Sequence, residues 1–224
     1  MMVLVRAFGL LCAAHALSST GGWVRRVVRV GESLQIEVQE RAQSDRDHLG
    51  GLTWTGGRAL AEYLAARPEL VEGRRVLELG CGSALVSLTC RELGAAATSA
   101  TDVDGLDRVD AAVSPAFFDV CSEAALPPCD VMVAADVMYT SDLARALARR
   151  AAEAHRGGAR VVVADSQGWA SNAFREALED LLVGRFVFES TTVTEEATGG
   201  RERRKRVRIL SVPPPDGGEA MEGS

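Results

Sequence analysis

The stretch Val76-Leu77-Glu78-Leu79-Gly80-Cys81-Gly82-Ser83-Ala84-Leu85-Val86 constrains this chain more than any other. An apolar strand runs into an acid, then two glycines in alternation, then the start of an apolar helix. Glycine accepts φ > 0 and carries no Cβ, so a turn built this way brings backbone close to a ligand at the edge of a doubly wound α/β sheet. The expected ligand is a nucleoside-containing cofactor. A dinucleotide fingerprint requires a third glycine where Leu85 stands, so the NAD reading fails. Glu78, two residues before Gly80, would repel a pyrophosphate and favours a cation. A sulfonium nucleoside, S-adenosylmethionine, meets both conditions.

The remaining chain has the alternation such a sheet requires. Val27 to Gln39 alternates apolar and polar residues around Gly31-Glu32 and predicts a β-hairpin ahead of the main domain. Gln43 to Leu52 reads as a polar loop, Gly56 to Ala66 as a helix stopped by Pro68, and Arg75 to Leu79 as the first core strand. A helix over Ser83 to Leu93, a strand over Thr98 to Val103 and a short strand over Phe117 to Val120 follow. The apolar run Asp130 to Val137 suits a central parallel strand covered on both faces. Ser141 is the expected cap of a helix to Arg156, ahead of a strand at Arg160 to Ala164 and an amphipathic helix over Ser171 to Val183. Arg185 to Val193 and Lys205 to Val212 have no helix between them and should pair antiparallel. The fold class is therefore α/β, a Rossmann-like, mostly parallel sheet closed by an antiparallel C-terminal hairpin. Expected boundaries are a targeting-type leader over 1–20, a hairpin extension over 21–52, the main domain over 53–212 and a disordered Pro/Gly-rich tail over 213–224.

At 224 residues the chain can bury one core, and its net charge of −6 argues against binding driven by phosphate neutralisation. A protein partner, no nucleic acid, no membrane and a monomeric state are the expectations. The five scattered cysteines and three distant histidines suggest neither a zinc site nor a disulfide framework. Reduced thiols suit a cytoplasmic compartment, whereas Met1 to Thr20 has the pattern of a signal or organelle address. The run Arg201 to Arg206 reads either as a solvated strand end or as a nuclear-import patch.

In open α/β sheets ligands sit at the carboxyl ends of the strands. Glu78, Gly80 and Gly82 close the first core strand there, and Asp102, twenty residues past Gly82, closes the second. A carboxylate at that place can accept from both hydroxyls of a ribose, although Asp104 competes for the role. Asp119 follows the third strand, within reach of an adenine amino group. Asp136 and Tyr139 follow the fourth and could hold an ammonium-bearing substrate by charge and cation–π contact. Trp54, beside Gly56-Gly57, is either a lid over the cofactor or a hydrophobic anchor.

Several of these segments resemble the seven-β-strand methyltransferases of the family 16 type, the lysine N-methyltransferase-like proteins. The matching residues are Gly51-Leu52-Thr53-Trp54-Thr55-Gly56-Gly57 with Leu60 and Tyr63-Leu64, then Val76 to Gly82, Thr101-Asp102 and Ala134-Ala135-Asp136-Val137-Met138-Tyr139. The resemblance implies an S-adenosylmethionine-dependent methyltransferase that modifies protein lysine. It places Trp54, Glu78, Gly80, Gly82, Asp102 and Asp119 around the cofactor and gives Asp136 and Tyr139 the catalytic contacts to the substrate amine. Two departures stand out. Ala84 occupies a position where glycine is common, and Asp104 to Ala116 is too short for the usual second crossover helix. A small-molecule amine as substrate, or a non-catalytic interaction module that keeps the fold, are the alternatives.

Overall fold

The computed structural model describes residues 22–41, 51–168, 170–182, 187–197 and 201–215. The leader, most of the polar loop and the end of the tail lie outside the described residues.

Two sheets are formed. Strands β1 (Trp23–Val30) and β2 (Leu34–Arg41) make the expected hairpin. The main sheet contains β3 (Arg75–Leu79), β4 (Ala97–Asp102), β5 (Ala116–Phe117), β6 (Val131–Ala135), β7 (Arg160–Asp165), β8 (Val187–Ala197) and β9 (Arg201–Val212). Its order is β5-β4-β3-β6-β7-β9-β8, parallel from β5 to β7 and antiparallel in the last two pairings. From β3 the strand order runs outward one way through β4 and β5 and the other way through β6 and β7, so the crevice expected of an open α/β sheet lies between the carboxyl ends of the parallel neighbours β3 and β6.

The helices are α1 (Thr55–Ala65), α2 (Leu85–Glu92), α3 (Ser141–Arg156) and α4 (Ser171–Leu181). Side chains alternate across a strand, so each central strand feeds two cores. Leu77, Leu79, Met132, Val161 and Val163 face α3 and α4. Val76, Val131, Val133, Val162 and Ala164 face the side of α1 and α2. The hairpin is no detached appendage. Val30, Ile36 and Val38 share a third cluster with Leu85, Leu88 and Val113, and Leu106 and Val109 pack against it. Between β4 and β5 only two short 3₁₀ turns form, Leu106–Arg108 and Ala111–Val113, and the hairpin buries part of the surface that a crossover helix would cover.

Several element boundaries differ from the sequence expectation. Helix α2 starts at Leu85 because Ala84 takes a left-handed φ of 57°. Thr140, not Ser141, caps α3, its hydroxyl accepting from Leu143 N at 3.2 Å. The third strand is Ala116–Phe117 instead of Phe117 to Val120. Phe118 and Val120 turn inward to the core, which takes the chain off the sheet edge before Asp119. Strand β6 stops at Ala135 because Asp136 adopts φ 53°.

Candidate functional site

The turn after β3 is held from below. Cys81 N donates to Thr101 O at 2.9 Å, and Thr101 Oγ1 donates to Glu78 O at 2.6 Å, so the glycine loop is fixed to β4. Gly80 and Gly82 have φ of +69° and +53°. A Cβ on Gly80 would sit 2.6 Å from Val137, and one on Gly82 would sit 2.8 Å from the Leu52 carbonyl oxygen. Both positions therefore require glycine for conformation and for space.

Residues 51–54 lie over this turn as a strap. The Thr53 and Ser83 hydroxyls are 2.6 Å apart, and Trp54 stands at the N-terminal boundary of α1. Strap and turn border a partly open cleft lined by Trp54, Glu78, Gly80, Gly82 and Ala135 among others. Among the described residues its lining contains no lysine or arginine.

Glu78 does not face the cleft as an uncommitted acid. It is 2 % exposed, and its Oε2 accepts from Ser87 N at 2.9 Å and from Ser87 Oγ at 2.5 Å. Its carboxyl thus fills the N-terminus of α2, the place where a Rossmann fold would seat a pyrophosphate. Burial pushes this carboxyl up to about 8 against the two Ser87 hydrogen bonds that lower it, and nearby Asp102 adds to the rise. A cation brought close would reverse part of that rise.

Asp102 ends β4 as expected, and its Oδ2 accepts from Gly82 N at 2.9 Å while Oδ1 accepts from Val103 N at 2.7 Å. It therefore joins the second strand to the turn and retains acceptor lone pairs for a ligand. Asp104, its rival, is instead drawn outward to Arg41 at 3.2 Å. Asp119 lies in the turn after β5, with Oδ1 accepting from Cys121 N at 2.8 Å. Tyr139 is 44 % exposed at the mouth, close enough to Asp102 and Asp119 to feel both charges. Its partial burial first, and then Asp102, Cys121 and Asp119, raise its phenol above the ordinary value.

Asp136 has a different setting from the one expected of an amine partner. Its Oδ2 accepts from Gly56 N at 2.7 Å and from Ser166 Oγ at 2.8 Å, and its Oδ1 accepts from Ser166 N at 2.7 Å. A Cβ on Gly56 would lie 2.7 Å from that carboxyl. Asp136 thus ties the start of α1, and with it the strap, to the end of β7. Its charge remains at the mouth while its hydrogen bonds are largely committed.

Ser166 and Arg150 escaped the sequence reading, and Leu52 and Thr53 entered it only within the matching segment 51–57. Ser166 sits just past β7, so the strand-end rule that selected Asp102 would have selected it too. Leu52 and Thr53 act through backbone proximity and a hydroxyl pair, which leave no periodic signal. Arg150, 7 % exposed on the alanine-rich face of α3, donates to the carbonyls of Val120 and Ala124 at 3.1 and 2.9 Å and also to Ser122 O. A lone arginine on an apolar helix face was its available signal, and its role is to shape the loop after Asp119. Among the described residues no group of three His, Cys, Asp or Glu is placed to hold a metal ion.

No protein-family model matches the chain. Over 58 residues it is 43% identical to the electron transfer flavoprotein beta subunit lysine methyltransferase of Danio rerio, covering 26% of this chain and 22% of that protein. Over 73 residues it is 47% identical to the protein N-terminal and lysine N-methyltransferase EFM7 of Eremothecium gossypii, covering 33% and 28%. These matches span roughly a quarter of the relatives' own length. Among solved structures, a putative RNA methyltransferase from Pyrococcus horikoshii matches with TM-score 0.53 at 19% identity, covering 75% of this chain and 93% of that one. A T. thermophilus 16S rRNA methyltransferase matches with TM-score 0.55 at 18% identity, covering 87% and 51%. The fold is that of the Rossmann-like methyltransferases.

Proposed function

We propose that this chain is an S-adenosylmethionine-dependent N-methyltransferase acting on lysine side chains of a protein substrate. The observation that carries the reading is the cleft itself. It is a glycine turn at the carboxyl edge, with no cationic side chain among the described residues of its lining and with its helix N-terminus filled by Glu78. Such a cleft disfavours a phosphate and favours a sulfonium nucleoside. The shared stretches with lysine methyltransferases support the substrate class.

The residues present fit the cofactor. Gly80 and Gly82 let the turn close against Val137 and the Leu52 carbonyl at the edge of the cleft, Asp102 would accept from the ribose, Asp119 would lie on the adenine side, and Trp54 would cover it. Glu78 acts from beneath, positioning α2, and a bound sulfonium would favour the ionised form of its raised carboxyl. Bound there, S-adenosylmethionine supplies an activated methyl group on a cationic sulfur. The chain's task is to place a neutral amine in line with it, mainly a matter of positioning. Tyr139 presents a ring face and a hydroxyl to the incoming amine. Asp136 contributes charge that offsets two cations in one cleft, and the amine proton leaves to water.

Calorimetry with S-adenosylhomocysteine tests the cofactor. No heat from folded protein at high ligand overturns the reading and leaves an interaction module, the alternative favoured by the short 104–116 connection. Asp102→Ala should weaken binding by about 1.5–3 kcal/mol, the range for a hydrogen bond to a charged group. Labelled S-adenosylmethionine in a lysate tests the substrate: label confined to small molecules excludes protein lysine. The described residues contain no helix long and apolar enough to cross a membrane. We take the protein to act as a monomer on a protein partner, without nucleic acid.

A further inference from the structure

Strand β9 changes character along one face. Val212 and Leu210 lie in the core beneath α4, with Phe174 and Leu178. The next three positions on that face are Arg208, Arg206 and Arg204, and all three are exposed. Their cross-strand partners on β8 are Ser190, Thr192 and Thr194, which are neutral. Lys205 pairs with Val193 on the opposite face, the one packed against α1. Arg206 donates to Ser190 Oγ and Arg208 to Ser171 Oγ, both at 3.1 Å. Among the described side chains, none of the three arginines is paired with a carboxylate.

The location of this face matters more than its charge. Asp165–Arg208 is the last pairing of β7 with β9, so β9 residues before Arg208 project past the carboxyl edge of the parallel strands. That is the edge carrying the cleft. The Arg208 guanidinium donates to Ser171 Oγ and lies beside Gly168, two residues past Ser166, and Ser166 is hydrogen-bonded to Asp136. A strip of positive charge therefore borders a mouth whose own charged groups, Asp102, Asp119 and Asp136, are acidic.

We propose that the Arg204–Arg206–Arg208 face docks an extended acidic segment of the protein substrate, beside the lysine that enters the cleft. This rests on the protein-lysine reading above. Alternate residues of one strand stand roughly 7 Å apart, the spacing of alternate side chains in an extended peptide, so carboxylates at every second position meet successive guanidiniums. The acid residues at the mouth repel those carboxylates and accept the lysine, which fixes the orientation of the segment. A nucleic acid is disfavoured, because a long polyanion would run from three arginines onto a molecule of net charge −6.

The test uses the full chain and a synthetic peptide with glutamates at alternate positions on either side of one lysine. A glutamine-for-glutamate peptide and a single-stranded oligonucleotide serve as comparisons. Binding is measured without cofactor, for the native protein, R204E/R206E and R204Q/R206Q. Tighter binding of the glutamate peptide, weakened by salt and lost by about tenfold or more in both variants, is the expected result. Equal binding of the two peptides, unchanged binding in the variants, or preference for the oligonucleotide overturns the proposal. S-adenosylhomocysteine binding, measured separately, should be unchanged in both variants and reports that they are folded. If that ligand fails to bind native protein while the arginines still select the acidic peptide, the enzymatic reading falls and the docking face remains.

Discussion

Replacing Glu78 with glutamine keeps an acceptor for Ser87 N and Oγ and removes the ionisable group. In the folded chain burial raises this carboxyl from 4.5 to about 8. Between those values the folded state holds a proton that the unfolded chain has released. Native stability should therefore fall as pH rises from about 4.5 to 8 and level off above, the direction proton linkage requires when the folded state binds more protons. At roughly 1.4 kcal/mol per unit, the full displacement is on the order of 5 kcal/mol, an upper limit because a buried site relaxes and admits water. Glu78→Gln should lack this slope. Its stability should match native near pH 4.5 and exceed it by several kcal/mol at pH 8.5, on the order of the linkage limit. Urea denaturation of both proteins at successive pH values, read as the difference between the two curves, measures the effect. Parallel curves would refute a raised Glu78. The ligand gives a second readout, since a bound sulfonium favours the ionised carboxylate. S-adenosylmethionine should bind native protein more tightly as pH approaches 8, and Glu78→Gln should lose that dependence.

Asp136→Ala leaves the Gly56 and Ser166 amides without their acceptor, so it should cost about 3 kcal/mol of stability and weaken cofactor binding through the strap. Stability and calorimetry together check this, and unaltered cofactor binding would show that the strap holds without Asp136. Ala84→Gly relieves a left-handed alanine and should raise the stability measured in urea by about 1 kcal/mol, strain relief exceeding the added chain entropy. Gly82→Ala drives a Cβ to 2.8 Å from the Leu52 carbonyl, so calorimetry should detect cofactor binding reduced by tenfold or more, about 1.4 kcal/mol. Thr140→Ala removes the α3 cap and should cost about 1 kcal/mol in denaturant titration.

Local sequence was sufficient for the framework of this protein. The β3 boundaries follow from an apolar run ending in an acid and glycines, and the hairpins follow from period-two patterns around turn residues. A buried parallel strand must be apolar on both faces, and a turn with positive φ must carry glycine, so both leave marks within a few residues. The strand-end rule also placed Asp102 at the carboxyl end of β4, for the same reason. What an acidic side chain does with its lone pairs is settled by neighbours distant in sequence. Glu78 serves α2 through its buried contacts with Ser87, and Asp136 serves Gly56 and Ser166, 80 and 30 residues away. The strap over Gly82, the hairpin filling space beside the short 104–116 connection, and the three arginines emerging beside the start of α4 all depend on which surfaces meet. Those meetings are selected by the packing of the whole core. No local pattern encodes them, because the free energy that fixes them is shared among residues the chain brings together only on folding.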